Sequence, residues 1–529
     1  MSLRKRIEET VENYIRKNWK VDKKIVFEKP KNPDYGDYAL PLFILSRLKK
    51  ESPEKIFQEI KKVVEEEFKG YVEELNFLKG FLNLRLSYDA LISNLKEILK
   101  KKENFGKADT GKNKRVNLEF VSANPTGPLN IANARAASMG DTLANLLENA
   151  GFYVEREYYV NDSGNQVKVL EKSLNARIKE LKGEKVEFPE DGYPGEYLVE
   201  IAKEIIEKDI KNPVEYAVDK ILESQKESLL KIGVKFKNFV RESEIRKNRK
   251  VEKVLEKLKK HTYEKEKALY FKSTEFGDDK DRVLIKSAGE PTYFLVDLAY
   301  HLDKIERGFE ILIDIWGPDH HGYIGRMKAG LKALGFENFE VLIAQQVNLK
   351  KGKETVKMSK RKGIYYTMDE LIEEAGKDAI RMFMLLKSFE SPLEFDIELA
   401  RKTGVENPVY YLQYMHARCV NVRKFAEEKG ITADSFEGRY LEGEDERKVL
   451  VMLFYFKDIL EKSAIFKSPH LLPHFLLELA GVYHSYYQKK RIVGDDIKVS
   501  RARLALNNAC EYIIKKGLKL MGINAPERM

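Results

Sequence analysis

The sequence predicts an α/β protein: a parallel sheet at the centre, a small α+β module before it and an all-α bundle after it. Three observations carry this reading. Strand-like runs alternate with helical patterns between residues 115 and 402, as in a parallel sheet whose site lies at the carboxyl ends of its strands. Residues 1–87 mix helical patterns with a strand–turn–strand run. Beyond Gly404 helix follows helix, with no strand-like run. The expected divisions are 1–87, a linker at 88–114, a central domain at 115–402 with a charged insertion at about 167–264, and a bundle at 403–529.

In order, Leu3, Ile7, Val11 and Tyr14 share one helical face, so the chain opens on an amphipathic helix. Residues 30–37 are a turn cluster. Helical patterns follow at roughly 40–50 and 53–68, the second capped by Ser52. Residues 77–86 (FLKGFLNLRL) read as strand–turn–strand, and 87–114 as a helix and a polar linker. That linker contains an imitation P-loop, Gly106-x4-Gly111-Lys112. Asn113 stands where a Mg²⁺-binding Ser or Thr belongs, and the motif precedes a strand instead of following one.

Residues 116–121 (VNLEFV) form a buried strand, and Asn124, Pro125, Gly127 and Pro128 punctuate the loop after it. A helix opening on Asn130 or Asn133 carries Met139, Leu143, Leu146 and Leu147 and stops at Gly151. Its N-terminus attracts phosphate, although an ordinary βα turn looks the same. Tyr153–Val160 is a second strand. Residues 167–264 are mostly charged, show helical patterns and no chemical constellation, and read as solvated surface. Residues 278–298 return to strand-like sequence around a turn at Gly289-Glu290-Pro291. Strands at 310–316 and 340–343 follow, the first leading into Gly317-Pro318-Asp319-His320-His321-Gly322. In the last helix Ala502, Leu506, Ala509, Ile513, Gly517 and Leu520 line one face.

With 43% hydrophobic and 34% charged residues the chain is globular. It has no apolar run of bilayer length, and its start, MSLRKRIEETVENY, lacks a signal-peptide core, so a cytosolic location is expected. Two distant cysteines, Cys419 and Cys510, exclude a zinc knuckle and a disulfide framework. A net charge of +10 suits a polyanionic partner, and suits a Lys-rich solvated surface equally.

SANPTGPL (Ser122–Leu129), then Asn130-Ile131-Ala132-Asn133 and Ala134-Arg135, is similar to the first signature loop of arginyl-tRNA synthetases, which are class I aminoacyl-tRNA synthetases. KMSKR (Lys357–Arg361) resembles their second signature loop. GDYA (Gly36–Ala39), GFLNLRLS (Gly80–Ser87), YYVNDSGNQ (Tyr158–Gln166), the DHHGY run (Asp319–Tyr323) and the ending LKLMGINAPERM resemble the same family in the same order. The resemblance covers nearly the whole chain except the charged insertion. It implies a Rossmann-like catalytic domain, an N-terminal module at the D-loop side of the tRNA elbow and a helical anticodon-binding domain. The implied reaction joins arginine and ATP into arginyl-adenylate, then passes the arginyl group to the 3′ end of tRNA(Arg), with activation dependent on bound tRNA. Mg²⁺ accompanies ATP without a dedicated protein metal site, the chain is a monomer, and no membrane is involved.

By the same resemblance Lys360 contacts the ATP phosphates and Lys357 supports its loop, with Met358 and Ser359 beside them. Adenylation asks mainly for alignment and positive charge, which a closing lysine loop supplies. Without the resemblance this is a solvated basic loop. Pro125, Gly127, Asn130, Ala132, Asn133, Gly317, Asp319 and His320 border ATP, with Asn130 and Asn133 also placed among the catalytic groups. Residues 317–321 with His301 could otherwise be read as a metal cluster, but no cysteine or HExxH spacing supports that. A guanidinium presents five donors in a planar fork and needs matched acceptors. Glu119, Ser122 and Asn124 beside the loop, with Tyr293 and Asp297 at i, i+4 spacing, are the implied arginine-binding set. The plain alternative for Glu119 is a strand residue paired with a structural Lys or Arg. A site built on such bonds rejects analogues without an editing domain.

The family's first loop usually ends in His-x-Gly-His. Asparagine NH₂ groups can donate to phosphate without carrying its countercharge, and the Ala132 methyl crowds adenine where glycine is usual. The reading is a working enzyme with weakened ATP binding. The alternatives are a catalytically silent tRNA-binding relative or a deliberately altered loop. A nucleotidyltransferase for a small substrate is opposed by the two end domains.

Overall fold

The computed structural model describes residues 2–352, 354–355 and 366–529. The N-terminal module opens on α1 (Leu3–Trp19), where the Ser2 hydroxyl accepts the Lys5 N–H and Ile7, Val11 and Ile15 are buried. β1 (Tyr38–Pro41), α2 (Phe43–Lys49), α3 (Pro53–Glu67), β2 (Val72–Leu78) and β3 (Phe81–Leu86) complete it. The strands form an antiparallel sheet in the order β1-β3-β2. The helix expected from residue 40 starts at Phe43, because Tyr38–Pro41 pair with β3. Ser52 caps α3 as its sequence suggests. α4 (Tyr88–Lys101) follows.

The central part runs β4 (Arg115–Glu119), α5 (Ile131–Asn149), β5 (Tyr153–Val160), α6 (Asn165–Leu181), α7 (Glu196–Glu207), α8 (Pro213–Lys231), β6 (Asn238–Arg241), α9 (Glu242–Lys247) and α10 (Lys250–Leu258). A small antiparallel sheet of β7 (Thr262–Lys265), β8 (Ala268–Phe271) and β9 (Arg282–Ile285) comes next. Then come α11 (Tyr293–Glu306), β10 (Ile311–Trp316), α12 (Ile324–Ala333) and β11 (Phe339–Ile343). The main sheet is parallel in the order β11-β10-β4-β5-β6. β4 is its middle strand, so the loop after β4 emerges at the centre of the sheet's carboxyl edge.

Two sequence expectations need correction. The stretch 167–264 is not mere decoration, since β6 lies within it and pairs with β5 as the sheet's edge strand. Its four residues are half-buried and polar at both ends, which hides the strand pattern. Residues 293–298 are helix, not strand. Thr292 caps α11, and Phe294, Leu295, Val296, Leu298, Ala299 and Tyr300 are all buried. A helix buried nearly all round loses its polar stripe and reads like an apolar strand.

The P-loop imitation is a turn packed on the end of α5. The Gly111 and Asn113 N–H groups donate to the Ala150 and Gly151 carbonyls at 2.9 and 2.8 Å. Phe105 just before it is fully buried against Phe456, and the Lys516 ammonium donates to its carbonyl at 2.6 Å.

Beyond the sheet, β12 (Val347–Lys351) lies between β13 (Glu354–Thr355) and β14 (Leu393–Asp396), with α13 (Met368–Ala375), α14 (Lys377–Met384) and α15 (Ile397–Arg401) around them. The fully buried Arg135 of α5 donates to the carbonyls of Gln345, Gln346, Ser388 and Ser391, fixing the base of β12 to the helix that follows the first signature loop. The bundle is α16 (Pro408–Glu428), α17 (Glu444–Ile465), α18 (Leu471–Lys489) and α19 (Ile497–Leu520). The predicted apolar face of α19 is buried, and a Cβ at Gly517 would meet the Leu476 side chain at 2.6 Å.

GDYA sits in the seam between the first module and the bundle. The Asp37 carboxylate accepts from the Leu86 N–H at 2.7 Å and from Arg447 at 2.8 Å, while the Tyr38 hydroxyl donates to Asp458.

Candidate active site

The loop leaving β4 is bent sharply. Val121 and Ser122 adopt φ of 70° and 39°. Left-handed backbone at non-glycine residues costs about 1–3 kcal/mol each and persists only where neighbours enforce it. Ser122 supplies some of that enforcement, donating to Glu119 Oε1 at 2.9 Å and accepting the Tyr159 N–H at 3.1 Å.

The loop ends in a capping box. Asn130 Oδ1 accepts the Ala132 and Asn133 N–H groups at 2.9 and 3.2 Å, and Asn133 Oδ1 accepts the Asn130 N–H at 2.9 Å. The two asparagines therefore serve the helix end themselves, occupying donors that an uncapped N-terminus would offer to phosphate. Each Nδ2 group has no protein acceptor among the described residues and remains free to donate. Ala132 is exposed, so its methyl faces the site. At Gly127 an added Cβ would stand 3.1 Å from the Tyr197 hydroxyl.

Beneath the loop is a buried charge network. The Lys304 ammonium, completely buried, lies 2.6 Å from Glu119 and 3.0 Å from Asp314. Burial works against the Asp314 carboxylate, and Lys304 and His301 together outweigh it, holding Asp314 at about 2. Burial raises the Glu119 carboxyl while Lys304 pulls the other way, so Glu119 is the weaker anion of the two. The plain alternative for Glu119 is thus met by Lys304, with its other oxygen held by Ser122. His301 bonds the Asp297 carbonyl and the Asp314 carboxylate at 2.8 and 2.9 Å, far in character from a metal ligand beside exposed His320. Among the described residues no group of three or more His, Cys, Asp or Glu is placed to hold a metal ion.

Asp297 lies one helical turn beyond Tyr293. Burial pushes its carboxyl up to about 6, against the Tyr323 hydroxyl that donates to it at 2.6 Å. Tyr293 is half exposed, and its hydroxyl stands 2.8 Å from where a Cβ at Gly164 (φ +84°) would lie. Gly317 and the turn Pro318–Tyr323 present Asp319 and His320 to solvent, their side chains 79% and 60% exposed.

A cavity of about 710 Å³ opens over the loop. One wall gathers Ser122, Asn124, Gly127, Asn130, Ala132 and Asn133; the other is Gln166, residues 190–195, Tyr197 and Gln225. Pro125 is buried in the loop behind the first wall. Glu119, Tyr293, Asp297, Gly317, Asp319 and His320 do not line this cavity. Lys357, Met358, Ser359 and Lys360 lie outside the described residues.

Sequence reasoning missed the second wall and Lys304. Tyr197 donates to the Thr126 carbonyl at 2.6 Å, and the Asn124 amide donates to Gln166. Gln166 ends the YYVNDSGNQ run and was within reach of that resemblance. Tyr197, Gln225 and Lys304 sit in helices with no motif around them.

A strained loop capped at a helix N-terminus, leaving the carboxyl end of the middle strand of a parallel sheet, is the plan of a Rossmann-type nucleotide-binding domain. The family model of the tRNA synthetases class I (R) catalytic domain matches residues 94–388. Models of the arginyl tRNA synthetase N terminal domain and the DALR anticodon binding domain match residues 1–86 and 412–529. The arginine–tRNA ligase of Carboxydothermus hydrogenoformans is 41% identical over 523 residues, covering 95% of this chain and 94% of its own. That of Bacillus subtilis is 40% identical over 525 residues, covering 96% and 94%. The structure of Thermus thermophilus arginyl-tRNA synthetase matches the fold with a TM-score of 0.83 at 23% identity, covering all of both chains. The chain belongs to the arginyl-tRNA synthetase family.

Proposed function

We infer that the chain is an ATP-dependent arginine–tRNA ligase. Its kinship runs the full length of ligases of that name and includes the catalytic domain, which leaves the silent-relative alternative without support. In the first step an arginine carboxylate oxygen attacks the α-phosphorus of ATP and pyrophosphate leaves. In the second a hydroxyl of the terminal tRNA ribose attacks the adenylate carbonyl and AMP leaves.

The observation that carries the substrate assignment is the full-length kinship with arginine–tRNA ligases, and the buried Asp297 carboxyl fits a cationic substrate. Asp297 is the acceptor for that cation, with Tyr293, Ser122 and Asn124 joining it by resemblance, while Glu119, taken by Lys304 and Ser122, holds the floor beneath them. A cation beside Asp297 would favour the charged state that burial opposes. The Asn130 and Asn133 NH₂ groups donate to phosphate, Pro125 and Gly127 shape the loop, and Ala132 abuts adenine. Gly317, Asp319 and His320 border the nucleotide. Lys357 and Lys360, with Met358 and Ser359, bring positive charge by resemblance. Mg²⁺ enters with ATP, held by its phosphates.

tRNA is the macromolecular partner. On the bundle, Tyr414, Arg418, Asn421, Phe425, Tyr487 and Met529 surround a pocket of about 340 Å³. The Arg418 guanidinium lies over the Tyr414 and Tyr487 rings at 4.5 and 4.6 Å. An aromatic and cationic pocket of this kind suits an unstacked anticodon base. No helix among the described residues is long and apolar enough to cross a membrane; family resemblance supports a cytosolic monomer.

The test is charging of tRNA(Arg) transcript with labelled arginine across a salt series. Acid-stable arginyl-tRNA formed with ATP, with lysine and ornithine at background, is expected, and rates should fall steeply with salt. Charging with lysine, or none with any of the three, would overturn the reading.

A further inference from the structure

We propose that Gln225 is a positioning residue for adenylate formation, its buried amide holding loop 122–129 in the shape that ATP meets. This rests on the arginine–tRNA ligase reading. The loop has little internal support: Ser122 N–H reaches the Phe120 carbonyl at 3.0 Å and Thr126 N–H reaches the Asn124 carbonyl at 2.8 Å. Its entry is left-handed at Val121 and Ser122, so its shape must be imposed from outside.

Gln225 imposes it from α8. The residue is fully buried. Its Nε2 donates to the carbonyls of Asn124 and Gly127 at 3.0 and 2.8 Å. Its Oε1 accepts the Tyr158 hydroxyl at 2.8 Å, and the oxygen of that hydroxyl accepts the Ala123 N–H at 3.1 Å. With the Tyr158 hydroxyl on one side and two carbonyls on the other, only one amide orientation satisfies all three partners. Tyr197 adds its bond to the Thr126 carbonyl. Ala123, Asn124, Thr126 and Gly127 thus each have a backbone group held by a side chain from beyond the loop.

The same helix also reaches the far side of the site. The Ser228 hydroxyl and the Lys231 ammonium, the latter at 2.6 Å, bind Asp369 on α13. The Met368 N–H at the start of α13 donates to the Leu129 carbonyl at 2.7 Å. So α8 fixes both the middle of the first signature loop and the helix following residues 356–365, against which the loop's end is pinned.

The test uses the full-length protein with cognate tRNA in ATP–pyrophosphate exchange, with rates divided by titrated active sites. Gln225→Met removes both donors, and Gln225→Glu removes them at nearly constant volume. In-line transfer loses about 100-fold for a displacement near 1 Å, so kcat/KM for ATP should fall about 10–100-fold in each. tRNA affinity should stay within about twofold, because Gln225 bonds only loop 122–129 and Tyr158, and arginine KM should rise less than ATP KM, since Asn124 is the one arginine-site residue among its partners. As pH is lowered from about 8 to about 6 the Gln225→Glu deficit should shrink, because a neutral carboxyl can donate to one carbonyl again. A purely structural residue would lower the active fraction and the melting temperature without changing either constant per active site.

Gln225→Met with kcat and ATP KM within about twofold of the unaltered protein overturns the proposal. Should the Gln225 variants not fold, Tyr197→Phe removes one hydroxyl from the same loop. An ATP KM raised about 3–10-fold is expected there, and an unchanged one overturns the proposal. Absence of arginine exchange in the unaltered protein overturns the ligase reading and this proposal with it.

Discussion

The two walls of the cavity differ in how they were made. The wall at 122–133 is backbone bent into a strained shape and dense in recognisable residues. The facing wall, residues 190–197 with Gln225, comes from a stretch that reads as surface charge and supplies ordinary side chains that hold the first wall's carbonyls. Chemistry demands particular atoms at particular spacings, which leaves a motif. Support demands only a donor delivered to the right point, from any part of the chain, and leaves none.

The largest break in this picture should come from the floor below the first wall. Lys304→Met leaves Glu119 and Asp314 buried together without their cation, and removing one partner of a buried ion pair costs about 3–5 kcal/mol. Urea denaturation measures it, and a loss below about 1 kcal/mol would show the network is better solvated than its burial implies.

Asp297→Asn should raise arginine KM by an amount worth about 1.5–3 kcal/mol, the range for a hydrogen bond to a charged group, while ATP KM stays level. In the unaltered protein the sign of the pH effect is fixed by the raised carboxyl. Arginine binding, which needs the anion, is full above about 6 and weakens as pH falls through it. In the free protein the same shift takes stability away as pH rises from the ordinary carboxylate range through about 6. Arginine affinity flat between pH 5 and 7, by about the precision of calorimetry, would remove Asp297 from the arginine site.

Smaller effects sharpen the contrast. Gly164→Ala puts a methyl against the Tyr293 hydroxyl at φ 84° and ψ −159°, backbone essentially confined to glycine, costing about 1–3 kcal/mol and showing in arginine KM before ATP KM. Asn130→Ala removes the α5 cap for about 1 kcal/mol of stability, read in the melting curve. If the asparagines contribute only the cap, Asn130→Ser should restore both stability and ATP KM. If the NH₂ also meets phosphate, it restores stability alone.

The parallel sheet was legible from alternating strand and helix patterns, and the bundle from the α19 face, because each depends on local periodicity. β6 was hidden by being short and half-buried, and the start of α11 by burial of nearly every residue after Tyr293. At the site, Asn130 was foreseen as a helix start, but its closed box with Asn133 depends on backbone geometry that spacing alone leaves open. Glu119 illustrates the limit best: its partner Lys304 is 185 residues away on a helix crossing the sheet.

The most direct test is ATP–pyrophosphate exchange with arginine, with and without cognate tRNA and with lysine and ornithine controls. Arginine-specific exchange that appears on adding tRNA is the predicted result, and would show that a loop capped by two asparagines still aligns ATP. No arginine-dependent exchange, despite tight tRNA binding, would contradict the assignment of catalysis to this site.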